Sequence, residues 1–270
     1  MNKINLIIQQ DEEEIEAAEV LVDVKVGTNK YRFLLDTGAA RTSMVFDDYT
    51  GTFDSLEKRN SSGVFASISD DLITVPSFDL GPISKKDLTL SRVASNSPGM
   101  RNLVGMDVLK DFCCLFLFEE SSILVDPGGV SGSPGNVQEL TYDGKFHPYV
   151  DVWLGEVRAK AVWDTGAGIT IADTNFINKH PALFEEVGRS HGTDSTGFSV
   201  ETPMFIMAAT TIGNHNFPPL KVAGVDLSQV NATIDIPMDL ILGYNILSKA
   251  NWFFDFPGKK WAITKLLSAR

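Results

Sequence analysis

Leu35-Asp36-Thr37-Gly38-Ala39 and Trp163-Asp164-Thr165-Gly166-Ala167 are the two stretches on which the reading of this chain turns. Each stands behind a similar lead-in: Val22-Asp23-Val24-Lys25-Val26-Gly27 before the first, Val150-Asp151-Val152-Trp153-Leu154-Gly155 before the second. Both matches share an offset of 128 residues (36 to 164) without a gap. Farther on, Leu103-Val104-Gly105-Met106-Asp107-Val108-Leu109 returns as Ile241-Leu242-Gly243-Tyr244-Asn245-Ile246-Leu247, now at an offset of 138 (105 to 243). One unit is therefore written twice, and a period of this length sets the fold before any single element does. The second copy has gained its extra residues between the blocks, where surface loops absorb insertions.

Residues 126–136, rich in Gly, Ser and Pro, separate the copies and read as a linker. The expected organisation is an N-terminal half over 1–127, a linker over 128–138 and a C-terminal half over 139–270. Each half is near the usual size of a small domain. Within the first, Val20, Val22, Val24 and Val26 alternate as a half-buried strand does, and Gly27-Thr28-Asn29 supplies a turn before residues 31–35. Val150, Val152 and Leu154 repeat the pattern before Asp164. Helical signals are confined to residues 107–112, 174–180 and 245–250, about two turns each. The expectation is an all-β fold with a few short helices. Residues 4–8 and 260–267 fall outside the repeats, read as strands, and are expected to pair and so join the halves.

An Asp-Thr-Gly loop at the end of an apolar strand holds a carboxylate rigidly. Its glycine removes the side chain that would block a close approach, and its threonine hydroxyl can brace the loop. Two such loops related by an approximate two-fold axis bring Asp36 and Asp164 together. Like charges a few ångströms apart cannot both ionise cheaply, so the pair shares a proton and can act as base and acid in one cycle. Such chemistry, water attack on a peptide carbonyl, needs no metal or organic cofactor.

Asp36-Thr37-Gly38-Ala39 and Asp164-Thr165-Gly166-Ala167, with Thr42 and Thr170 three residues beyond the alanines, resemble the active-site loops of aspartic proteases, nearer the retropepsin-like branch than the pepsins. Leu103-Val104-Gly105 and Ile241-Leu242-Gly243 are similar to the hydrophobic-hydrophobic-glycine motif that packs behind each loop in that family. The resemblance covers both halves almost from end to end, like two retropepsin chains fused into one. It implies a bilobal acid-protease fold of two β-barrel-like halves and an endopeptidase acting on peptide or protein substrates as a monomer. It also implies that Asp36 and Asp164 are catalytic, with Thr37, Gly38, Ala39, Thr165, Gly166 and Ala167 supporting them. Pepsins usually place a hydroxyl residue after the glycine. Ala39 and Ala167 lack it, which removes a hydrogen bond to the ionised pair and shifts the expected activity toward milder pH. Glycine-bearing flap hairpins are expected around Gly63 and Gly197, although neither stretch has the tyrosine of a pepsin flap.

The rest of the chain narrows the alternatives. A net charge of −12 with scattered basic residues argues against nucleic acid; it is compatible with a basic or neutral substrate and is also what solubility alone favours. Cys113 and Cys114 are adjacent in an apolar run and read as small buried hydrophobes, so no disulfide framework is expected. The longest apolar run, residues 112–118, is too short for a bilayer and reads as a buried strand. No secretory signal pattern is seen, which favours a cytoplasmic, reducing setting and leaves the sequons at Asn60 and Asn231 unused. His147, His180, His191 and His215 lack metal-ligand spacing. The acidic run Asp11-Glu12-Glu13-Glu14 reads as a solvated face. Two rival readings use the same residues: a catalytically silent peptide-binding or scaffolding protein, and an enzyme whose halves pair only with those of a second copy.

Overall fold

A computed structural model describes residues 2–12, 14–62, 67–94, 100–126, 136–193 and 199–267 of the chain. The architecture is mostly β, as expected, with short helices at Met106–Leu109, Thr174–Lys179, Ser228–Asn231 and Tyr244–Leu247. Among the described residues no helix is long and apolar enough to cross a membrane.

The alternating valines form the strand Ala18–Val26, which turns at Gly27 (φ +58°) and pairs antiparallel with Asn29–Leu35. Val20, Val22, Val24 and Val26 are all buried, so the period of two marks the core face. The second copy builds the same hairpin from Pro148–Leu154 and Val157–Trp163, turning at Gly155 (φ +60°). The likeness continues strand by strand. Asn29–Leu35 pairs in parallel with Leu103–Val104, and Val157–Trp163 pairs in parallel with Leu240–Leu242. Ser43–Val45 then bridges to Ile83–Val93 as Ile171–Asp173 does to Leu220–Val225. Finally Ile83–Val93 pairs with Ser67–Leu80, and Leu220–Val225 with Ser199–Met207.

A six-stranded sheet unites the copies. Its seam is Cys113–Leu117 against Ala250–Asp255, with Cys114 opposite Phe254. This corrects the expectation that the terminal strands pair with each other: Asn2–Asn5 lies outside Ser122–Asp126, and Lys260–Leu266 lies beyond Ala250–Asp255. The apolar run ending each repeat is the more deeply buried segment, and it takes the centre. Residues 4–8 also break into two strands at Leu6, whose N–H donates to the Ser121 carbonyl, so the chain changes sheets there. The helices after Gly105 and Gly243 begin one residue early and last one turn each, because the chain must enter the joining sheet almost at once. Gln138, the last residue of the expected linker, is already paired, opposite Trp261, and Glu139 follows opposite Lys260.

One buried apolar cluster runs through both copies. Trp163 lies at its centre, with ring centroids 4.6 Å from both Phe116 and Phe254. Cys113 and Cys114 are buried and free, and burial pushes the Cys114 thiol pKa up. The acidic run is only partly a solvated face: Glu14 reaches the opposite copy and pairs with Lys221 at 2.5 Å.

Candidate active site

Asp36 and Asp164 come together where the two copies meet, each at the end of its apolar strand. The Asp36 N–H continues the parallel ladder to the Val104 carbonyl at 2.9 Å, and the Asp164 N–H does the same to Leu242 at 3.1 Å. Val104 and Leu242 accept those bonds, while Leu103 and Ile241 stand opposite Leu34 and Val162 in the same parallel pairs. Gly105 and Gly243 are required by close approach: a Cβ on Gly105 would lie 2.6 Å from the backbone of Arg41, and one on Gly243 2.4 Å from that of Ile169. The Met106 N–H then donates to the Ala39 carbonyl, and that of Tyr244 to Ala167, both at 2.8 Å.

The threonines brace the site across the copies. Thr37 Oγ1 donates to the Trp163 carbonyl at 2.8 Å and accepts from the Thr165 N–H at 3.0 Å. Thr165 Oγ1 donates to the Leu35 carbonyl at 2.6 Å and accepts from the Thr37 N–H at 3.2 Å. Both side chains are fully buried. Each loop is thus tied to the other rather than to itself, a direction that sequence reasoning missed. Thr37→Val strips one donor and one acceptor and leaves their buried partners unsatisfied, so unfolding in urea should show a loss of about 2–4 kcal/mol.

Behind each loop a second brace repeats. Thr42 gives its N–H and hydroxyl to Asp107 Oδ1 at 2.9 and 2.7 Å, while its Oγ1 accepts from the Gly105 N–H. Thr170 does the same with Asn245 Oδ1 at 2.8 and 2.7 Å, and accepts from Gly243. Asp107 and Asn245 stand at the same place in the repeat, two residues past the glycine, which is the signal that could have found them. Burial raises the Asp107 pKa, and the bonds from Thr42 oppose this.

The two glycines of the loops lie against the opposite carboxylates. A Cβ on Gly38 would fall 2.5 Å from Asp164 Oδ2, and one on Gly166 2.5 Å from the Asp36 carboxyl carbon. The Gly38 and Gly166 N–H groups both donate to Asp164 Oδ1, at 3.0 and 2.8 Å. Any side chain here would push the two carboxyls apart. If the pair acts on peptides as the sequence resemblance implies, Gly38→Ala is expected to cost at least about a hundredfold in kcat/KM with a near-parental circular dichroism spectrum, since misplacement by an ångström is that costly.

The pair is electrostatically unequal. Burial, then the charge of Asp164, then the hydrogen bond between the two carboxyls raise the Asp36 pKa well above the ordinary carboxylate range. Burial also raises that of Asp164, but the Gly166 and Gly38 N–H groups, the bond from Asp36 and the proximity of His147 hold it down. Charge is therefore disfavoured more strongly on Asp36 than on Asp164, and the pair shares one proton. His147 is itself buried and its Nδ1 lies 2.6 Å from buried Asp143; sequence reasoning gave it no part near the site.

The flap positions Gly63 and Gly197 lie outside the described residues. The strands leading to them do pair as antiparallel hairpins, Glu57–Ser62 with Ser67–Leu80 and Phe184–Thr193 with Ser199–Met207. Among the described residues no group of three or more His, Cys, Asp or Glu side chains is arranged to hold a metal ion. No model of a protein family matches the chain, and no curated protein matches it.

Proposed function

We propose that this chain is an aspartic endopeptidase in which Asp36 and Asp164 activate water for attack on a peptide carbonyl. The observation that carries the proposal is the pairing of two buried aspartates from duplicated loops, with unequal proton affinity and within one chain. The fold under this reading is the bilobal acid-protease fold, with halves over 1–127 and 139–270 sharing the six-stranded sheet. Because Thr37 and Thr165 cross-brace the loops of a single chain, the pair needs no second copy.

Ionised Asp164 takes one proton of the water as its oxygen bonds to the scissile carbon, and Asp36 gives its proton to the carbonyl oxygen. The tetrahedral species collapses when Asp164 passes its proton to the amide nitrogen. The C–N bond breaks, Asp36 recovers a proton from a hydroxyl, and a carboxylic acid and an amine leave. Braced threonines and loop glycines keep both carboxyls where the charge develops, so little reorganisation accompanies the step.

Incubation with a diverse peptide library from pH 3 to 8, read by mass spectrometry, tests the proposal. Cleavage blocked by a pepstatin-type ligand is expected. A well-folded chain that cleaves nothing and binds no such ligand would turn the reading toward the silent peptide-binding protein.

A further inference from the structure

Asp70 is a carboxylate out of place. It is 4% exposed, and neither of its oxygens has a hydrogen-bond partner. A buried polar group left this way costs stability and is rare enough to require a reason. Its place in the sheet supplies one.

Pairing partners in a sheet project their side chains to the same face. One lateral row therefore runs Leu21, Leu34, Leu103, Ser43, Ser91, Leu72 across six strands of the first copy. Their neighbours of opposite parity, among them Leu35, Met44, Val104, Leu90 and Ile73, fill the main core, so the row lies on the other face. Asp36 follows Leu34 by two residues and shares that face, and Asp70 precedes Leu72 by two, toward the hairpin tip. The second copy aligns a matching row: Tyr149, Val162, Ile241, Ile171, Ala223, Met204. It is wholly apolar and forms its own cluster. Where the second row has Ile171 and Ala223, the first has the hydroxyls of Ser43 and Ser91. Where the second copy has Thr202, bonded to the Ser190 carbonyl at 3.4 Å, the first has Asp70.

Nearby described cations do not serve Asp70. Lys58 and Arg92 align with Asp71, on the opposite face, and an open cavity of about 470 Å³ at this end of the hairpin is lined by both of them and by Asp70 and Asp71. Arg92 is committed to Asp71 and to the Thr50 and Phe53 carbonyls. The backbone partner of Asp70 on the outer strand is Arg59, whose side chain lies outside the described residues.

We infer that Asp70, with Ser43 and Ser91, forms a subsite for a basic side chain, lysine or arginine, on the first-copy side of the scissile bond, while the second-copy wall takes apolar side chains. The inference rests on the proteolytic reading for its catalytic consequence and on the register alone for its location. A guest ammonium or guanidinium brings the donors and the charge that the carboxylate lacks. Four strand spacings of about 4.8 Å separate the strands of Asp36 and Asp70, and Asp70 stands four residues along the strands from the level of Asp36, so the basic residue falls within about seven positions of the cut at about 3.4 Å per residue. The chain's net charge of −12 favours the approach of such peptides.

Two measurements on the full chain test this. In the first, Asp36→Asn protein is titrated with fluorescent apolar peptides carrying either lysine or norleucine at each position in turn. In the second, parental protein and Asp70→Asn digest the same peptides. At one position on one side of the cut, lysine should bind at least tenfold tighter than norleucine, with the preference lost in Asp36→Asn/Asp70→Asn. Parental kcat/KM should show the same selectivity, and Asp70→Asn should lose it. Cleavage without any basic preference overturns the subsite and leaves the proteolytic reading standing. Selective binding without cleavage by the parent sustains the subsite and sinks the proteolytic reading. Equal binding of lysine and norleucine peptides overturns the subsite whatever the activity.

Discussion

Under the proteolytic proposal, Asp36→Asn and Asp164→Asn are each expected to reduce peptide cleavage by at least about a thousandfold, to a level indistinguishable from the double variant. The size follows from the division of labour within the pair. An asparagine at 36 can still donate to Asp164 but has no carboxylic proton to give the carbonyl oxygen. One at 164 can still accept from the Gly38 and Gly166 N–H groups but cannot take a proton from water. Groups acting as one unit fail together, so the single and double losses coincide instead of multiplying. Steady-state rates on a single cleaved peptide, with thermal melts to establish that both variants fold, check this. A single variant retaining a tenth of parental kcat would remove that aspartate from the chemistry.

At pH 8 the Asp36→Asn protein is expected to be more stable than its parent, by about 1–3 kcal/mol, even though it is inactive. The folded pKa of Asp36 is raised, so its protonated form is favoured by folding. Such a group contributes stability fully below its unfolded value, about 3.9, and that contribution is lost as pH rises through the folded value. Asparagine imitates the neutral acid at every pH. The advantage of the variant therefore grows from near zero at pH 4 toward neutral and alkaline pH. For a chain of this size each kcal/mol moves the melting temperature by about 2–4 °C. Asp71 has a lowered pKa, chiefly from its hydrogen bonds with Arg92, and titrates with the opposite sign, so only the difference between parent and variant isolates the pair. A parent as stable as the variant at pH 8 would mean that the two carboxyls ionise together without strain. Under the proteolytic proposal the same raised affinity, with Ala39 and Ala167 supplying no hydroxyl, is expected to place the active limb of the pH profile at milder acidity than a hydroxyl-bearing pair would show.

The sequence made much of this legible because duplication repeats every local signal. The valine alternation, the turn glycines and the Asp-Thr-Gly loops all lie where local geometry and periodicity meet. Even the partners of Thr42 and Thr170 were printed, as Asp107 and Asn245, inside a repeat that had been recognised for its glycines. What could not be read depends on how separate segments meet. Nothing in Thr37 shows that its hydroxyl crosses to Trp163, since that bond exists only after two loops 126 residues apart have come together. The seam fell to Cys113–Leu117 and Ala250–Asp255 rather than the termini because several apolar strands competed for one position, and burial decided among them. Asp70 was invisible for a related reason. An aspartate beside another aspartate reads as surface until the pairing register assigns the two to opposite faces.

The unlike walls that flank the pair carry a consequence for orientation. A cleft made by two copies of one identical chain has a true two-fold axis, and an extended peptide lying in it meets the same surroundings whether it runs forward or backward. Here the copies are joined by a peptide chain and have diverged independently, Ser43 against Ile171, Ser91 against Ala223, Asp70 against Thr202. The symmetry that positions Asp36 and Asp164 is thereby broken a few residues to either side. A peptide would be bound in one polarity only, and its sequence would be read as a sentence instead of a palindrome.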